Sequence, residues 1–546
     1  MPDSRAQEII RMQAHEEFKA ANFRNLYQQV ADLMYPVENQ ITTKTTPGED
    51  KSLLIRDPTA VLALNRATAG FIAAWIPKDR EFFGIYIKNK RIAELDNVKR
   101  WCAMAVRIAH EEIFESNFMQ QLQQTVKAAI GFGTGCLYSE WDNKTQGLNF
   151  KDWHISTYTI KQNTKGQVDT VIIKYELTAR QASEEFKNPG AQVLKDVGET
   201  ENESKLHTFI HIVRPRIKRN VMFVDSLNMP FESVFVNVKE QEIVDEGGFE
   251  ELPFAVPRWE KSSMEKYGRG QGTVMLSAVK ELQQMRKDFI ECGNRWNHTP
   301  LEAVDNNIEG EINMSPDGIT HVLERHSFGA VDQVSLGSFP ITKDMLEFQQ
   351  NLIKNEGFYN DIFSQFRNLQ GDRRVTLELE LRNQEGLDQL VAPVINMEGE
   401  LFTPSLSRDI LLLIRNGRIP PPPPELSGQA FGIEYMGKLA MAMKQYQARG
   451  FMQLTQVVAA LDPVFPEAKD TINADRALPD IARALGVKVE HLSTPEEIAA
   501  KRQQRAKDLQ EQKMLQAAQV ASKSYNEMKD KPEEGSPSGA LVGAMK

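Results

Sequence analysis

The chain runs to 546 residues, 41% hydrophobic and 26% charged, with 33 Gly and 26 Pro. That composition excludes a disordered, collagen-like or disulfide-scaffold protein and leaves room for several structural units. Sixty-five Lys and Arg against 75 Asp and Glu give a net charge of −10, which argues against a protein that grips nucleic acid over its whole surface but not against one that lets DNA slide past. Cys102, Cys136 and Cys292 lie far apart without CxxC spacing, so neither a zinc site nor a disulfide framework is encoded, and a reducing compartment is expected.

Met1 to Phe18 carries charges throughout and has no apolar signal core. The longest apolar stretch, Ala67–Ile76, is broken by Thr68 and Gly70 and closed by Pro77, so no membrane span is expected. Ile9, Met12, Phe23, Leu26, Tyr27, Val30, Leu33 and Met34 keep to a helical stripe that Pro36 ends. Asp57 followed by Pro58 is a start signal for a second helix with Val61, Leu64, Thr68, Phe71, Ile72 and Trp75 on its stripe. Two more helices are expected, from Leu95 to Phe114 and from Phe118 to Ile130.

At Gly131 the character changes, and β-branched and aromatic alternation over Cys136–Trp141, Val168–Leu177, Leu206–Val213, Val221–Val224 and Val234–Val238 predicts an antiparallel body. The helical period returns over Gly272–Asn297 and again over Thr342–Phe358, bracketing an insert, His298–Phe339. After the loop Ser364–Arg374 comes a long helix in which Pro393 and Pro404 should cause kinks, since each removes a backbone donor and crowds the preceding turn. Asn416-Gly417 stops it, and Pro420 to Pro424 form a stiff spacer. Thr494, Pro495 and Glu497 open a last, polar helix that runs to about Lys529, followed by a frayed tail.

Enzyme chemistry finds no support in these residues. Gly131, Gly133 and Gly135, and again Gly268, Gly270 and Gly272, give GxGxG runs, but neither follows a strand and opens a helix as a dinucleotide loop must, so both are assigned to tight turns. GxxxxGK followed by Ser or Thr is absent, as is GxSxG. His207 and His211 stand four apart in a segment that alternates like a strand, which fits satisfied strand histidines rather than a zinc protease. No catalytic residue, cofactor or metal is assigned. Charge is more informative by segment: His298–Pro340 holds Glu302, Asp305, Glu309, Glu311, Asp317, Glu324 and Asp332 against Arg325, whereas Ser364–Arg374 holds Arg367, Arg373 and Arg374 against Asp372.

The order of these segments resembles the head-to-tail connector, or portal, proteins of short-tailed, podovirus-like phages. The resemblance rests on ATAGFIAAWIPKDREFFGIYI at Ala67–Ile87, the helix-to-strand passage Glu115–Trp141, the junction Leu252–Gln284, GDRRVTLEL at Gly371–Leu379 and STPEEIAAKRQQ at Ser493–Gln504, and it covers about residues 5–530. It implies a mixed α+β portal architecture: a wing over 1–271, helical at first and β-rich over 131–260; paired stem helices over 272–297 and 342–363; a clip over 298–341. It further implies a tunnel loop over 364–374, a long kinked wing helix over 375–416, a helical crown over 417–492, a barrel helix over 493–530 and a disordered tail over 531–546.

By the same resemblance the protein is a non-enzymatic virion component without a cofactor, one subunit of a dodecameric ring at a single capsid vertex, assembled in the host cytoplasm. Its expected partners are double-stranded DNA passing without sequence preference, terminase, capsid and scaffolding proteins, and tail adaptors. Arg367, Arg373 and Arg374 would then lie near the DNA, and Glu302, Asp305, Glu309 and Glu311 would meet the clip's partners. A tail adaptor is the alternative structural role, and a packaging nuclease or ATPase the alternative enzymatic one. Trp101 and the other aromatics are expected to be buried within the subunit.

Overall fold

The computed structural model describes residues 3–43, 48–49, 55–77, 81–93, 95–199, 202–220, 222–223, 225–297, 301–303, 308–309, 321–322, 328–330, 343–362, 390–426, 428–429, 431–436, 454, 457–458 and 495–529. The chain divides into two units, Met1–Ala440 and Met441–Lys546. The fold mixes helix and sheet, as expected.

Helix α1 (Ser4–Met34) starts where the Asp3 carboxylate accepts from the Arg5 N–H at 2.9 Å, and it ends just before Pro36. Helix α2 (Thr59–Trp75) starts on the predicted signal: Asp57 accepts from the Thr59 N–H at 2.9 Å, with Pro58 between them. Helices α3 (Asp96–Glu115) and α4 (Phe118–Gly131) follow, and Trp101 on α3 is buried within the chain.

The body is a five-stranded antiparallel meander of β4 (Tyr158–Gln162), β5 (Val168–Thr178), β6 (Leu206–Pro215), β7 (Phe231–Asn237) and β8 (Glu242–Phe249). Alternation decides which residue faces which layer. Ile172, Ile210, Ile212, Val234 and Val236 pack under Ala6 and Ile9 of α1. Phe209 points the other way, to Ala179 and Ala182 on α5 (Ala179–Glu185) and Val193 on α6 (Ala191–Val197). Each fully buried Ile or Phe contributes about 1.5–3 kcal/mol, so the sheet is held from both sides. His211 lies inside this layer, 2.9 Å from the Ser233 hydroxyl and stacked on Phe235, a satisfied strand histidine. A smaller sheet joins β3 (Gly147–Asp152), β2 (Leu137–Asp142) and β9 (Phe254–Ala255).

Three local expectations change. Met222 and Phe223 lie in a turn rather than a strand, because Asn220 and Asn228 side chains bond the backbone of Met222 and Asn220 at 3.1 and 2.9 Å and hold the chain in a loop. The helix expected over 272–297 is two: α7 (Gln271–Val274) breaks at Met275 before α8 (Leu276–Asn297). The proline spacer leads not into a helix but into β14 (Phe431–Tyr435), which pairs antiparallel with β1 (Phe83–Ile87). The spacer itself lies against α3, where Trp101 Nε1 donates to the Pro420 carbonyl at 2.9 Å and Asn97 donates to Glu425 at 3.0 Å. Residues 419–426 and 431–435 therefore pack with the N-terminal body.

The disturbance expected at Pro404 appears as a π-helical turn, Glu398–Phe402, after which Pro404 sits in the first turn of α10 (Thr403–Arg415), where its missing N–H costs little. In the insert, β10 (Leu301–Ala303) pairs with β13 (Phe328–Ala330), and β11 (Ile308–Glu309) with β12 (His321–Val322). The second unit contributes α11 (Pro495–Lys529), 35 residues long.

On α10, Asp409 is fully buried beside Arg408, and burial pushes its carboxyl up to about 8 despite that neighbour. A raised carboxyl favours the protonated folded state, so this contribution is complete below about pH 4 and is lost as pH rises through about 8. Asp409→Asn is expected to flatten the fall in unfolding free energy between pH 5 and pH 8 by about 3–4 kcal/mol, read by chemical denaturation at each pH. A parallel pH dependence in parent and variant would show that Asp409 is ionised throughout.

Candidate stem junction and ring interface

The two glycine runs sit 135 residues apart in sequence, yet they pack backbone against backbone. A Cβ on Gly133 would lie 2.3 Å from the Gly268 carbonyl oxygen, one on Gly270 would lie 2.4 Å from the Ile130 oxygen, and one on Gly272 would lie 2.5 Å from the Gly131 oxygen. Gly133 also has φ +105, a conformation that glycine alone adopts readily. Hydrogen bonds fix the contact: Trp259 N to Gly133 O at 2.9 Å, Gly135 N to Pro257 O at 3.1 Å and Gly268 N to Thr134 Oγ1 at 2.9 Å. The assignment of both runs to tight turns holds at Gly133, but the close approach requires them together and was not legible from either alone.

This clasp joins the end of α4 to the segment 258–271 that leads into α7 and α8, and chain on both sides of residues 363–389 is anchored to it. On one side, the buried Arg258 guanidinium grips Glu400 of the π-turn, with Nε to Oε2 at 3.0 Å, and Lys261 reaches the same carboxylate at 2.8 Å. Asn396 donates to the Trp259 carbonyl at 3.1 Å. On the other side, Gln271 donates to the Tyr359 hydroxyl at 2.9 Å. Met275, at the break between α7 and α8, packs where a Cβ on Gly357 would lie 2.7 Å from its Cγ.

Helix α8 packs against α9 (Lys343–Asn351), which runs on into a π-turn over Leu352–Gly357. Asp57 ties α2 to both: Gln283 donates to its carbonyl and Gln350 to its carboxylate, each at 2.8 Å. Val279, Leu282, Leu346 and Ile353 are buried. A second apolar side remains open, however. Met345 is 47% exposed and Phe348 69%, and with Met285 they line a groove edged by Glu281, Asp344 and Gln349. An apolar strip of this kind on one chain marks a surface that another protein covers.

Of the residues assigned a role from the sequence, Arg367, Arg373 and Arg374 lie outside the described residues, as do Asp305 and Glu311. Glu302 stands opposite Gly329, and Glu309 opposite His321, in the two small ladders of the insert. The side chains of Glu302 and Glu309 lie outside the described residues as well. Among the described residues no group of His, Cys, Asp or Glu is arranged to hold a metal, and no helix is long and apolar enough to cross a membrane. The Arg258–Glu400 clamp went unrecognised in the sequence, where the two residues are isolated charges 142 positions apart.

The glycine clasp at the end of α4, the helix pair that follows it around a β insert and the apolar groove on that pair are the features that the comparisons with known proteins meet. The chain belongs to the family described as bacteriophage head to tail connecting protein, which matches residues 7–492. It is 22% identical over 531 residues to the portal protein of Salmonella phage epsilon15, covering 96% of this chain and 95% of that one. It is also 23% identical over 501 residues to the probable portal protein of Bordetella phage BPP-1, covering 90% and 89%.

Proposed function

We propose that this chain is the portal subunit of a short-tailed phage, closing side by side into a ring, expected to be dodecameric, at one vertex of the head. The family match and the uncovered apolar face of the stem carry this assignment, and neither relative is a tail adaptor or a packaging enzyme. A closed ring needs heterologous interfaces, in which each subunit presents two different patches. The stem groove supplies one of them.

The ring would pass double-stranded DNA inward during packaging and outward at ejection, meeting terminase first and tail proteins later, with capsid and scaffolding proteins around it. A duplex carries one negative charge per ~1.7 Å of axis, so a basic wall would hold it and an acidic one lets it move. The acidic insert 298–341, with Glu302, Asp305, Glu309 and Glu311, fits the outer, partner-binding end. Arg367, Arg373 and Arg374 fit a local, sequence-indifferent phosphate contact in the tunnel. Residues 493–530 fit a barrel helix: along α11, Met514, Leu515 and Val520 are all more than 60% exposed.

Native mass spectrometry of the purified protein tests the assignment, and a stable monomer at micromolar concentration in near-physiological salt would refute it. Met345→Asp with Phe348→Asp is expected to leave monomer melting unchanged while weakening each interface by about 3–6 kcal/mol, since two large apolar side chains lose their burial. Rings that survive the double substitution would move the interface elsewhere.

A further inference from the structure

The groove between α8 and α9 is half of a contact. Met285, Met345 and Phe348 give it an apolar lining, and its rim carries Glu281 on α8 and Asp344 on α9. Neither carboxylate forms an ion pair among the described residues; Glu281 accepts from the neutral Gln349 amide at 3.2 Å. Whatever fills the groove must therefore bring apolar surface and positive charge together.

Another flank of α8 offers both. Lys280 is next to Glu281 in the chain but about 100° away around the helix, and Lys287 stands about 160° around from Met285. Lys280 is exposed, and its ammonium donates to the neutral Gln29 amide of α1 instead of to an acid. Lys287 has 43% of its side chain exposed and meets Glu291 at 3.7 Å, a surface pair weak enough to exchange partners. The other acid near this flank, Asp288, accepts from Gln284 at 2.8 Å. Ile290, one turn on from Lys287, is 39% exposed. Lysine stems can cover apolar surface while their ammonium groups reach acids at its edge. Residues 280–287 carry both faces within about 11 Å of helix at 1.5 Å per residue. That coincidence suits a ring: subunits related by rotation alone sit at equal height, so patches that touch must also lie at equal height. Two grooves set face to face would instead crowd four carboxylates together, which disfavours a two-fold pair.

We propose that the groove of one subunit receives the Lys280–Lys287 flank of a second copy's α8. Met345 and Phe348 lie under the lysine stems, and Glu281 and Asp344 take the ammonium groups. Apolar contact holds the two subunits, and the charges fix their register and orientation. The inference rests on the portal assignment and supplies the second of the two patches that a closed ring requires.

The test exchanges the charges in full-length protein. One variant carries Lys280→Glu and Lys287→Glu; the other carries Glu281→Lys and Asp344→Lys. Rings are counted by mass photometry at equal protein concentration and physiological salt, alongside melting of each monomer. Each variant alone is expected to lose at least tenfold of the ring population, because every contact then sets like charges together. Mixed in equal amounts, the two should return to within about twofold of the parent, since rings that alternate them again oppose lysine to carboxylate at every contact. Parent-level rings from either variant alone would overturn the proposal. So would a mixture that forms no rings although both monomers melt like the parent. Should a variant melt below the parent, the unmodified protein decides. Zero-length coupling of lysine to carboxylate, in rings assembled from isotope-labelled and unlabelled subunits, should give mixed-isotope peptides joining Lys280 or Lys287 to Glu281 or Asp344. Rings that give none refute the pairing. A parent that forms no rings refutes the portal assignment itself, whereas a parent that rings while the mixture does not refutes the pairing alone.

Discussion

Gly133→Ala is expected to destabilise the first unit severely. The methyl group would lie 2.3 Å from the Gly268 carbonyl oxygen and 2.5 Å from the Gly270 nitrogen, both backbone atoms, and φ +105 is hostile to any side chain. A left-handed backbone alone costs a non-glycine residue roughly 1–2 kcal/mol. With the clasp forced apart, the total should exceed about 4 kcal/mol, at the upper end for single substitutions. Gly417→Ala is the matched control. It also has positive φ, +71, just beyond the end of α10, but nothing lies within 4 Å of its added methyl, so about 1 kcal/mol is expected. Chemical denaturation of the two variants separates conformational strain from collision, and similar losses at both positions would show that the two glycine runs do not need their close approach.

Arg258→Met should be nearly as damaging. Its guanidinium is almost wholly buried and its fork is taken up by Glu400 and by the Gly166 carbonyl at 2.8 Å. Removing one partner of a buried pair costs about 3–5 kcal/mol, because the other charge is left without compensation. Arg258→Met combined with Glu400→Gln should cost less than the two single changes summed, with a coupling of about 0.5–3 kcal/mol. Strict additivity would mean that the two side chains are held by other contacts and do not clamp the π-turn.

Where a single segment carries its own signal, sequence and structure agree. Asp57-Pro58 starts α2, Pro36 follows the end of α1, and alternation in Leu206–Val213 places Ile210 and Ile212 on one face of the sheet and Phe209 on the other. The short helices α5 and α6 escaped notice because seven residues hold fewer than two turns of pattern. The glycine clasp and the Arg258–Glu400 clamp were hidden for another reason. Each depends on two segments more than a hundred residues apart, and neither member has a local partner to betray it. The stem groove lay between these cases: the stripes of both helices were evident, but which side stays open depends on how the pair docks against Asp57 and α1.

The pairing of Phe83–Ile87 with Phe431–Tyr435 sets a timetable for the newborn chain. Ribosomes add about 5–20 residues per second, so the first strand waits roughly 20–70 s for its partner. During that wait its edge can template pairing with other chains. A contact this distant in sequence also forms slowly. The first unit therefore completes itself only when synthesis is four-fifths done, and a head vertex that needs many copies draws on subunits finished in this late step rather than on nascent fragments. Truncation before residue 431 should release chains with an open edge strand, prone to aggregate instead of closing a ring.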